Sequence, residues 1–358
     1  MTGISRRDFL KLGGLALGTL AFSPLLTNRS GFDDASLVRV ATKSVSVYKE
    51  PSDKSLIMGT WYRDELVHIY DEVRGVDGEP KHNPIWYRVW GGYMHRARLQ
   101  RVKVIFNKPM DAVPAGTRQL VEVTVPYTRP RRFTKSFGWV PEALDPPLYY
   151  ESVHWVDSIQ EGPDGTLWYG IFDELDSNVK YFVPAVHIRS ISHADLNPIS
   201  ADVPWDEKRI DVNLTTQILT AFEYNKPVFQ TKISSGVNGN NTTTPRGKFQ
   251  IIDKMPSKHM GNSYFGLSTN RNLLADADGY VLPGVPWTCF FTEYGHAFHG
   301  TYWHENYGAT MSHGCINMRT AEARWIFRWA LPPHTVPELS TQYSFHYGNK
   351  GTAVSIFY

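Results

Sequence analysis

A stretch of 20 residues contains His299-Gly300-Thr301-Tyr302-Trp303 and then Ser312-His313-Gly314-Cys315-Ile316-Asn317-Met318, with three histidines and one of the two cysteines of the chain. A thiol becomes a strong nucleophile as a thiolate, so it needs a base or a positive charge nearby. Histidine accepts such a proton near neutral pH and can return it to a leaving amine. The 16 positions from His299 to Cys315 leave room for a strand, a loop and a return strand that bring the two side chains together.

Gly314, directly before the cysteine, adds the remaining part of an acyl-transfer site. A glycine lets the backbone approach a substrate closely, because it has no Cβ. The N–H groups of Gly314 and Cys315 are then placed to donate to the oxyanion that develops when sulfur attacks a carbonyl. The stretch therefore predicts a cysteine nucleophile, a histidine base and backbone donors in one site.

The C-terminal half of the chain resembles the L,D-transpeptidase catalytic domain (YkuD type), a family that cross-links peptidoglycan. The order of the motif carries the resemblance: a histidine, a gap, and then Ser-His-Gly-Cys-hydrophobic-Asn. Further support comes from the alternating segment at Lys208, from Ser234-Ser235-Gly236, from Thr244-Pro245-Arg246-Gly247-Lys248-Phe249, and from the closing segment at Gly351. Many relatives carry Arg where this chain has Asn317, which places it with one subset of the family.

The resemblance implies the reaction and its main residues. Cys315 matches the nucleophile, which attacks the carbonyl of the third residue of a donor tetrapeptide stem and forms a thioester. His299 matches the general base and acid, and the carbonyl of Gly300 matches the group that orients the imidazole. Trp303, together with Tyr302, matches the aromatic wall of the substrate channel. No cofactor and no metal is needed, and carbapenem-type inhibitors are expected to acylate the cysteine.

The same resemblance implies supporting roles around the nucleophile. His313 and Gly314 match positions that line the oxyanion region, and Ser312 and Asn317 match positions that hold the loop. The insert at residues 332–349, before the last strand, is longer than the family pattern, which leaves the shape of the outer cleft open.

Paired arginines near the N-terminus predict export. Ser5-Arg6-Arg7-Asp8-Phe9-Leu10-Lys11 precedes an apolar stretch at residues 12–22, which is typical of twin-arginine signals. This stretch is shorter than the roughly 20 apolar residues that span a bilayer. Ala21-Phe22-Ser23 is a poor cleavage site, so membrane anchoring by an uncleaved signal stays open. We expect residues 1–34 to direct the protein to the cell envelope, in the periplasm or cell wall; a basic cap on a buried helix is the alternative.

Two units in the N-terminal half resemble each other. Ile85-Trp86-Tyr87-Arg88-Val89-Trp90 is similar to Leu167-Trp168-Tyr169-Gly170-Ile171-Phe172, 82 positions later. Short alternating segments bounded by Gly, Pro and Asp are typical of small antiparallel barrels. Residues 35–105 and 115–195 therefore resemble bacterial SH3-like domains. Their aromatic residues either bind the cell wall or fill two small cores, and the basic run Arg129-Pro130-Arg131-Arg132 either contacts anionic polymers or is a solvated loop.

The expected fold class is mainly β, with two small SH3-like barrels followed by a β-rich L,D-transpeptidase domain at residues 205–358 that has one main helix. A turn at Asn225-Lys226 joins two of its alternating segments. The helix is predicted to begin at Thr320 as its N-cap and to end at Pro332-Pro333. The residues at helical spacing on its apolar face are Ala323, Ile326, Phe327 and Ala330.

The overall composition excludes two classes of protein. Lys and Arg number 37 and Asp and Glu number 35, which leaves a net charge of only +2. A nucleic-acid-binding protein that acts through a broad basic surface needs a clustered excess of positive charge, so no nucleic-acid partner is expected. Hydrophobic residues make up 42% of the chain, which excludes a largely disordered protein.

Other roles for the cysteines and histidines remain open at this point. Cys289 is expected to lie on a buried core strand, although a disulfide between Cys289 and Cys315 would silence the site. A zinc site would draw on His296, His299, His304, His313 and Cys315, but their spacing matches no standard zinc motif. His259 and His304 are expected to be ordinary surface or loop histidines.

Three functions compete. The favoured function is a cysteine-dependent L,D-transpeptidase, an acyltransferase of cell-wall biogenesis and cell shape that acts on peptidoglycan stem peptides. The nearest variant is an L,D-carboxypeptidase, in which water replaces the acceptor amine, since one thioester serves both reactions. The third is a non-catalytic protein that binds the cell wall.

Overall fold

Strands make up most of the regular structure, as the abundance of Val, Tyr, Thr and Trp predicts. A computed structural model describes residues 36–134, 138–140, 147–172, 180–239, 242–261, 281–331, 345–346 and 351–358. The prediction of a mainly β fold is confirmed. Among the described residues, no helix is long and apolar enough to cross a bilayer. The predicted export signal and nearly all of the 332–349 insert lie outside them.

The first repeat contains eight strands, and its first strand is closed against its last. The strands are β1 Leu37–Val40, β2 Ser44–Tyr48, β3 Ile57–Tyr62, β4 Leu66–His68, β5 Asp71–Arg74, β6 Ile85–Val89, β7 Gly92–His95 and β8 Leu99–Val102. Strand β1 pairs antiparallel with both β4 and β8. The other five strands form a sheet in the order β3-β2-β7-β6-β5.

The second repeat has the same closure. Its strands are β9 Gln119–Val123, β10 Tyr127–Thr128, β11 Arg131–Thr134, β12 Gly138–Trp139, β13 Leu148–Tyr149, β14 Val153–Glu161, β15 Leu167–Phe172, β16 Lys180–Pro184 and β17 Ile188–Ser190. Strand β9 pairs antiparallel with β17, as β1 does with β8. In both repeats a single 3₁₀ turn, at residues 96–98 and 185–187, precedes the last strand.

The aromatic residues of the two Trp-Tyr strands are buried. Trp86 and Tyr87 on β6, and Trp168 and Tyr169 on β15, each expose 3% of their surface or less. Tyr87 and Tyr169 belong to two separate apolar clusters, one in each repeat. These four residues therefore fill cores, and their side chains are not open to cell-wall polymers.

Within the described residues, the C-terminal part consists of two five-stranded sheets, a one-turn helix and a longer helix. Its elements are α1 His193–Leu196, β18 Lys208–Asn213, β19 Ile218–Glu223, β20 Lys226–Lys232, β21 Gly247–Gln250, β22 Asp253–Gly261, β23 Val281–Phe290, β24 Ala297–Gly300, β25 Ile316–Met318, α2 Thr320–Trp329, β26 Phe345–His346 and β27 Ala353–Phe357. One sheet has the order β20-β19-β18-β27-β21 and the other β25-β24-β23-β22-β26. The closing strand β27 runs parallel to β18 in the middle of the first sheet.

One apolar core joins the two sheets and α2, and it extends into the second repeat. Ile210 on β18 and Phe298 on β24 lie in this core, together with Leu120, Val153 and Trp155 of the second repeat. Burial of such side chains contributes about 1.5–3 kcal/mol each. The second repeat is therefore packed directly onto the C-terminal part.

Two local predictions can be compared with the structure. The hairpin between β19 and β20 turns at Tyr224 and Asn225, whose φ angles of 48° and 61° are those of a type I′ turn. The N-cap of α2 is Arg319, so the prediction of Thr320 as N-cap is one residue too late. The predicted apolar face of the helix is fully buried at Ala323, Ile326, Phe327 and Ala330.

Two buried lysines satisfy carbonyl groups at the C-terminal end of α2. Lys208 Nζ donates to the carbonyls of Ile199 and Trp329, at 3.1 Å each, and Lys254 Nζ donates to that of Ala330 at 2.7 Å. The last carbonyls of a helix have no partner within the helix and attract positive charge. The two side chains thereby tie the end of the helix to β18 and β22.

Candidate active site

The structure places Cys315 against the strand that carries His299. Strands β24 and β25 run parallel and pair His299 with Asn317, so these two side chains lie on one face. Cys315 directly precedes β25, and its Sγ donates to the carbonyl of Gly295 at 3.6 Å. The N–H of Ala297, two residues before His299, donates to the same sulfur. Cys315 therefore lies two residues before Asn317, the residue paired with His299, on the same strand pair.

The contacts of His299 define which of its nitrogens can act as a base. Nδ1 lies 3.0 Å from the carbonyl of Gly300, which can only accept, so Nδ1 carries the proton. Nε2 therefore holds the free lone pair. Burial lowers the pKa of His299 to about 4, against a small opposing effect of the Gly300 carbonyl. The imidazole is neutral at pH 7 and able to accept a proton.

The thiol of Cys315 is neutral at rest. Burial raises its pKa to about 11, and the Ala297 N–H offsets only part of this effect. Cys315 as a whole residue is nevertheless partly exposed. A neutral thiol has to lose its proton when it attacks a carbonyl, and the neutral imidazole of His299 is the candidate acceptor.

The backbone of the nucleophile loop is held by hydroxyl groups. Ser312 Oγ accepts from the N–H of Gly314 at 3.2 Å and donates to the carbonyl of Cys315. Thr244 Oγ1 donates to the carbonyl of Gly314 at 2.9 Å. The expectation that the Gly314 N–H faces an oxyanion is therefore wrong for this structure, since Ser312 takes that donor. Of the two backbone donors expected at this loop, the N–H of Cys315 is the remaining candidate.

The segment Ser234-Ser235-Gly236 pairs with the same loop at both of its ends. Ser234 and Asn317 form an isolated antiparallel bridge, with N–H to carbonyl distances of 2.9 and 3.0 Å. Gly236 forms a parallel bridge to Ser312. A Cβ on Gly236 would lie 2.0 Å from the carbonyl oxygen of Thr242, so only glycine fits there. The segment fixes both ends of the stretch from Ser312 to Asn317.

The two aromatic residues after His299 have different positions. The ring of Trp303 is half-buried and lies 5.8 Å from the imidazole of His299, as a wall of the site requires. Tyr302 is 1% exposed, and its hydroxyl donates to the carbonyl of Pro283 at 2.8 Å. The expectation that Tyr302 binds substrate is therefore wrong, because its side chain points into the core. The other predicted loop histidine, His313, is exposed.

His304 is a site residue that sequence reasoning misses. The sequence places it at the surface or in a loop, but it is 4% exposed and its Nε2 lies 2.8 Å from the carboxamide nitrogen of Asn317. Its Nδ1 accepts the N–H of Asn306 at 3.1 Å, so the proton of the neutral ring is on Nε2. Two donors cannot pair, and Oδ1 of Asn317 has no partner among the described residues. We therefore assign the amide with its oxygen toward His304.

His296 is the second residue that sequence reasoning misses. Thr292 Oγ1 accepts the backbone N–H of His296 at 3.2 Å and lies 2.9 Å from its Nδ1. Thr292 Oγ1 thus holds the imidazole of His296 in place. This ring lies against Gly314, because a Cβ on that glycine would meet its Cδ2 at 2.8 Å and its Nε2 at 2.9 Å. His296 therefore forms one side of the nucleophile loop.

We expect Gly314→Ala to reduce acyl transfer strongly, because its φ of +115° is unfavourable for alanine and its Cβ would collide with His296. Backbone strain of this kind costs about 1–3 kcal/mol. The control is Gly116→Ala, since Gly116 has a φ of +77° and nothing within 4 Å of its Cβ position. Urea unfolding should show a loss of stability in both variants, and only Gly314→Ala should lose activity. Equal activity in the two variants would contradict this role of the glycine.

The structure also bears on the disulfide and the zinc site that the sequence leaves open. Cys289 is fully buried on β23, paired with Lys254 on β22, and burial raises the pKa of its thiol to about 12. Both cysteines are free, so the disulfide considered above is absent. Within the described parts of the chain, no three His, Cys, Asp or Glu side chains come together as a metal site.

The C-terminal part also matches a known family. Residues 207–356 match the family model of the L,D-transpeptidase catalytic domain (YkuD), which confirms the prediction for this part of the chain. No curated protein matches the chain.

Several solved structures are similar to this chain. An L,D-transpeptidase mutant from Enterococcus faecium has 23% identity and a TM-score of 0.30, over 42% of this chain and 50% of that structure. An L,D-transpeptidase from Mycobacterium smegmatis has 18% identity and a TM-score of 0.33, over 53% of this chain and 77% of the other. LdtMt1 in complex with imipenem has 17% identity and a TM-score of 0.31, over 71% and 99%. The chain thus spans about half the length of the first of these structures.

Proposed function

We propose that this protein is a cysteine-dependent L,D-transpeptidase that acts on peptidoglycan stem peptides. The observation that carries the proposal is that Cys315 lies against the start of β24, the strand that carries His299, while the Nδ1 proton of His299 is bound by the Gly300 carbonyl and Nε2 is left as the base. This arrangement supports a nucleophile and a base on one strand pair, and it lies in the part of the chain that matches the YkuD domain.

Acylation begins with proton transfer from the thiol of Cys315 to Nε2 of His299. The sulfur attacks the carbonyl of the third residue of a donor tetrapeptide stem, and the carbonyl oxygen becomes an oxyanion. The N–H of Cys315 donates to this oxyanion. The C–N bond to the fourth residue then breaks, and His299 returns the proton to the leaving amine. The products are a thioester on Cys315 and a free amino acid.

Deacylation repeats these steps with an acceptor. The amine of a second stem peptide loses its proton to His299 and attacks the thioester carbonyl. Collapse of the tetrahedral intermediate releases the sulfur, which regains the proton from the imidazole. Trp303 is placed to exclude water from this second step, because its ring lies beside His299. Water in place of the amine would give the L,D-carboxypeptidase reaction.

Reaction with β-lactam-type inhibitors follows from the same chemistry. One similar structure is the Ldtfm–avibactam carbamoyl enzyme, and another is LdtMt1 in complex with imipenem. We propose that carbapenems acylate Cys315 of this protein as well, because a strained lactam carbonyl is attacked in the same way as the donor carbonyl.

The N-terminal half of the chain favours a location in the cell envelope for this reaction. We propose that residues 1–34 are a twin-arginine signal that exports the protein to the cell envelope, where peptidoglycan lies. We also propose that the two repeats are SH3-like barrels, since each closes its first strand on its last.

Product analysis tests the proposed reaction. The protein is incubated with a disaccharide tetrapeptide, with and without a diamino-acid acceptor, and the products are separated and identified by mass. We expect cross-linked or acceptor-linked product, with a Cys315→Ala variant as the blank. Release of the fourth residue without any linked product would establish the carboxypeptidase instead. No product in either condition would refute both.

A further inference from the structure

We propose that the first repeat, residues 36–102, is a clamp for the loop that follows the catalytic histidine, and that Arg39 and Asn83 are positioning residues for the reaction. Residues 301–308 are called the histidine loop below. The inference rests on the proposed function and deepens it, because it assigns the first repeat a part in catalysis. It is carried by hydrogen bonds from buried side chains of the repeat to peptide groups of the loop.

Arg39 holds the start of the histidine loop. Its side chain is 1% exposed, and Nη2 donates to the carbonyl of Tyr302 at 2.8 Å. The rest of the guanidinium is fixed by Gln100 Oε1 at 2.9 and 3.1 Å, by Asp64 at 2.9 Å, and by the ring of Tyr149. A buried guanidinium needs partners for its donors, so its geometry leaves little freedom. The position of the Tyr302 carbonyl is therefore set by the first repeat.

Asn83 holds the middle of the loop. It is fully buried, and its Nδ2 donates to the carbonyl of Glu305 at 2.9 Å and to Oδ1 of Asn306 at 3.3 Å. The N–H of Glu305 donates to the carbonyl of Ala97 at 2.9 Å. His82 Nε2 lies 3.1 Å from the same Asn306 oxygen. Both polar groups of the Glu305 backbone thus find their partners in the first repeat.

The clamped positions enclose the two loop residues that surround His299. Trp303 lies beside its imidazole, and His304 binds Asn317, the residue paired with His299 across the strands. Both side chains lie between Tyr302 and Glu305 in the chain. A shift of these anchors would move the aromatic wall and open the imidazole to water. Misplacement by about 1 Å can reduce a rate about 100-fold.

The buried contacts distinguish a clamp from a spacer or an independent wall-binding module. A module on a flexible connector makes few contacts with its neighbour, and those contacts are exposed and polar. Here a buried arginine and a buried asparagine of the first repeat each donate to a backbone carbonyl of the histidine loop. A buried polar group that loses its partner is left unsatisfied, so the contact resists separation.

The test compares Asn83→Ala and Arg39→Lys with Asn107→Ala in the full-length protein. Lysine keeps the charge at position 39 but cannot bind Tyr302, Gln100 and Asp64 together. Asn107 is the control, since its amide also joins separate segments of the chain. Its Nδ2 donates to Thr124 Oγ1 at 2.6 Å and to the carbonyl of Val186 at 3.4 Å, and both partners belong to the second repeat. Hydrogen exchange of residues 301–308, kcat, KM and the pH profile of kcat/KM are measured on each variant, with circular dichroism to confirm folding.

We expect faster exchange of the histidine loop and a kcat lower by about 10- to 100-fold in both clamp variants, with a smaller change in KM. The pH below which kcat/KM falls should move upward. Water that reaches the imidazole of His299 reverses the effect of burial and raises its pKa toward the ordinary histidine value. Asn107→Ala should keep the exchange rate and the pH at which kcat/KM falls. Folded clamp variants with wild-type exchange and wild-type kcat would overturn the proposal. If the wild type transfers no acyl group, the proposed function fails, while the exchange of the loop still decides whether the clamp exists.

Discussion

Replacing Cys315 by alanine should lower acyl transfer by about 10⁴-fold or more, which is typical for the loss of a catalytic nucleophile. The alanine variant has no sulfur at position 315 to form the thioester, and no other described thiol lies at the site. The measurement is the initial rate of product formation from a tetrapeptide donor and an amine acceptor at saturating concentrations. Acylation by a carbapenem, followed by intact mass, should be lost in the same variant.

The second cysteine provides the matched control for this prediction. Cys289 is fully buried in the core, and its thiol pKa is raised by that burial. Cys289→Ala should cost about 1–2 kcal/mol of stability through the small cavity that it leaves, and it should keep the catalytic rate. A Cys289→Ala variant that folds but is inactive, or an active Cys315→Ala variant, would refute the assignment of the nucleophile.

Replacing His299 by glutamine should lower kcat/KM by about 10²- to 10⁴-fold, because glutamine cannot take the thiol proton. In the wild type, the rate should fall as the pH falls through about 4, the pKa to which burial lowers His299. A protonated imidazole has no free lone pair on Nε2, so activity is present above this pH and lost below it. In the glutamine variant, the residual rate should rise with pH toward the thiol pKa of about 11.

The fall of the catalytic rate at low pH must be distinguished from unfolding of the protein by acid. Burial also lowers the pKa values of His154, His187 and His304, so the unfolded chain binds more protons than the folded one below the ordinary histidine pKa. Stability therefore decreases as the pH falls through this range. Circular dichroism at each pH, and recovery of the rate after return to pH 7, identify the fall in rate that belongs to His299. An unchanged pH profile in folded His299→Gln would contradict its role as the base.

The candidate active site could be located from the sequence because its residues are close in the chain. Cys315 and its neighbours form one short motif, and His299 lies on the strand before it, separated by one loop. The strand pattern and the apolar face of α2 also follow from local periodicity. Such features need no knowledge of contacts between distant segments.

Features that depend on distant contacts could not be predicted in this way. The bonds from Arg39 to Tyr302 and from Asn83 to Glu305 join residues more than 200 positions apart. The sequence indicates only an ordinary loop histidine at His304, because no local pattern shows that Asn317 binds it. The expectation of Tyr302 in the channel fails because the sequence does not show which side of a loop faces the core. The one available signal is Asn317 itself, which stands where many relatives carry Arg. A change of residue type at such a position indicates that a neighbouring residue has changed with it.

The most direct test of the account is intact-mass analysis of the protein after brief incubation with a stem tetrapeptide, followed by peptide mapping. The account predicts a mass increase equal to the donor acyl group, located on the peptide that contains Cys315, and none in Cys315→Ala. Turnover of the donor with no adduct on Cys315, or with an adduct on another residue, would contradict it.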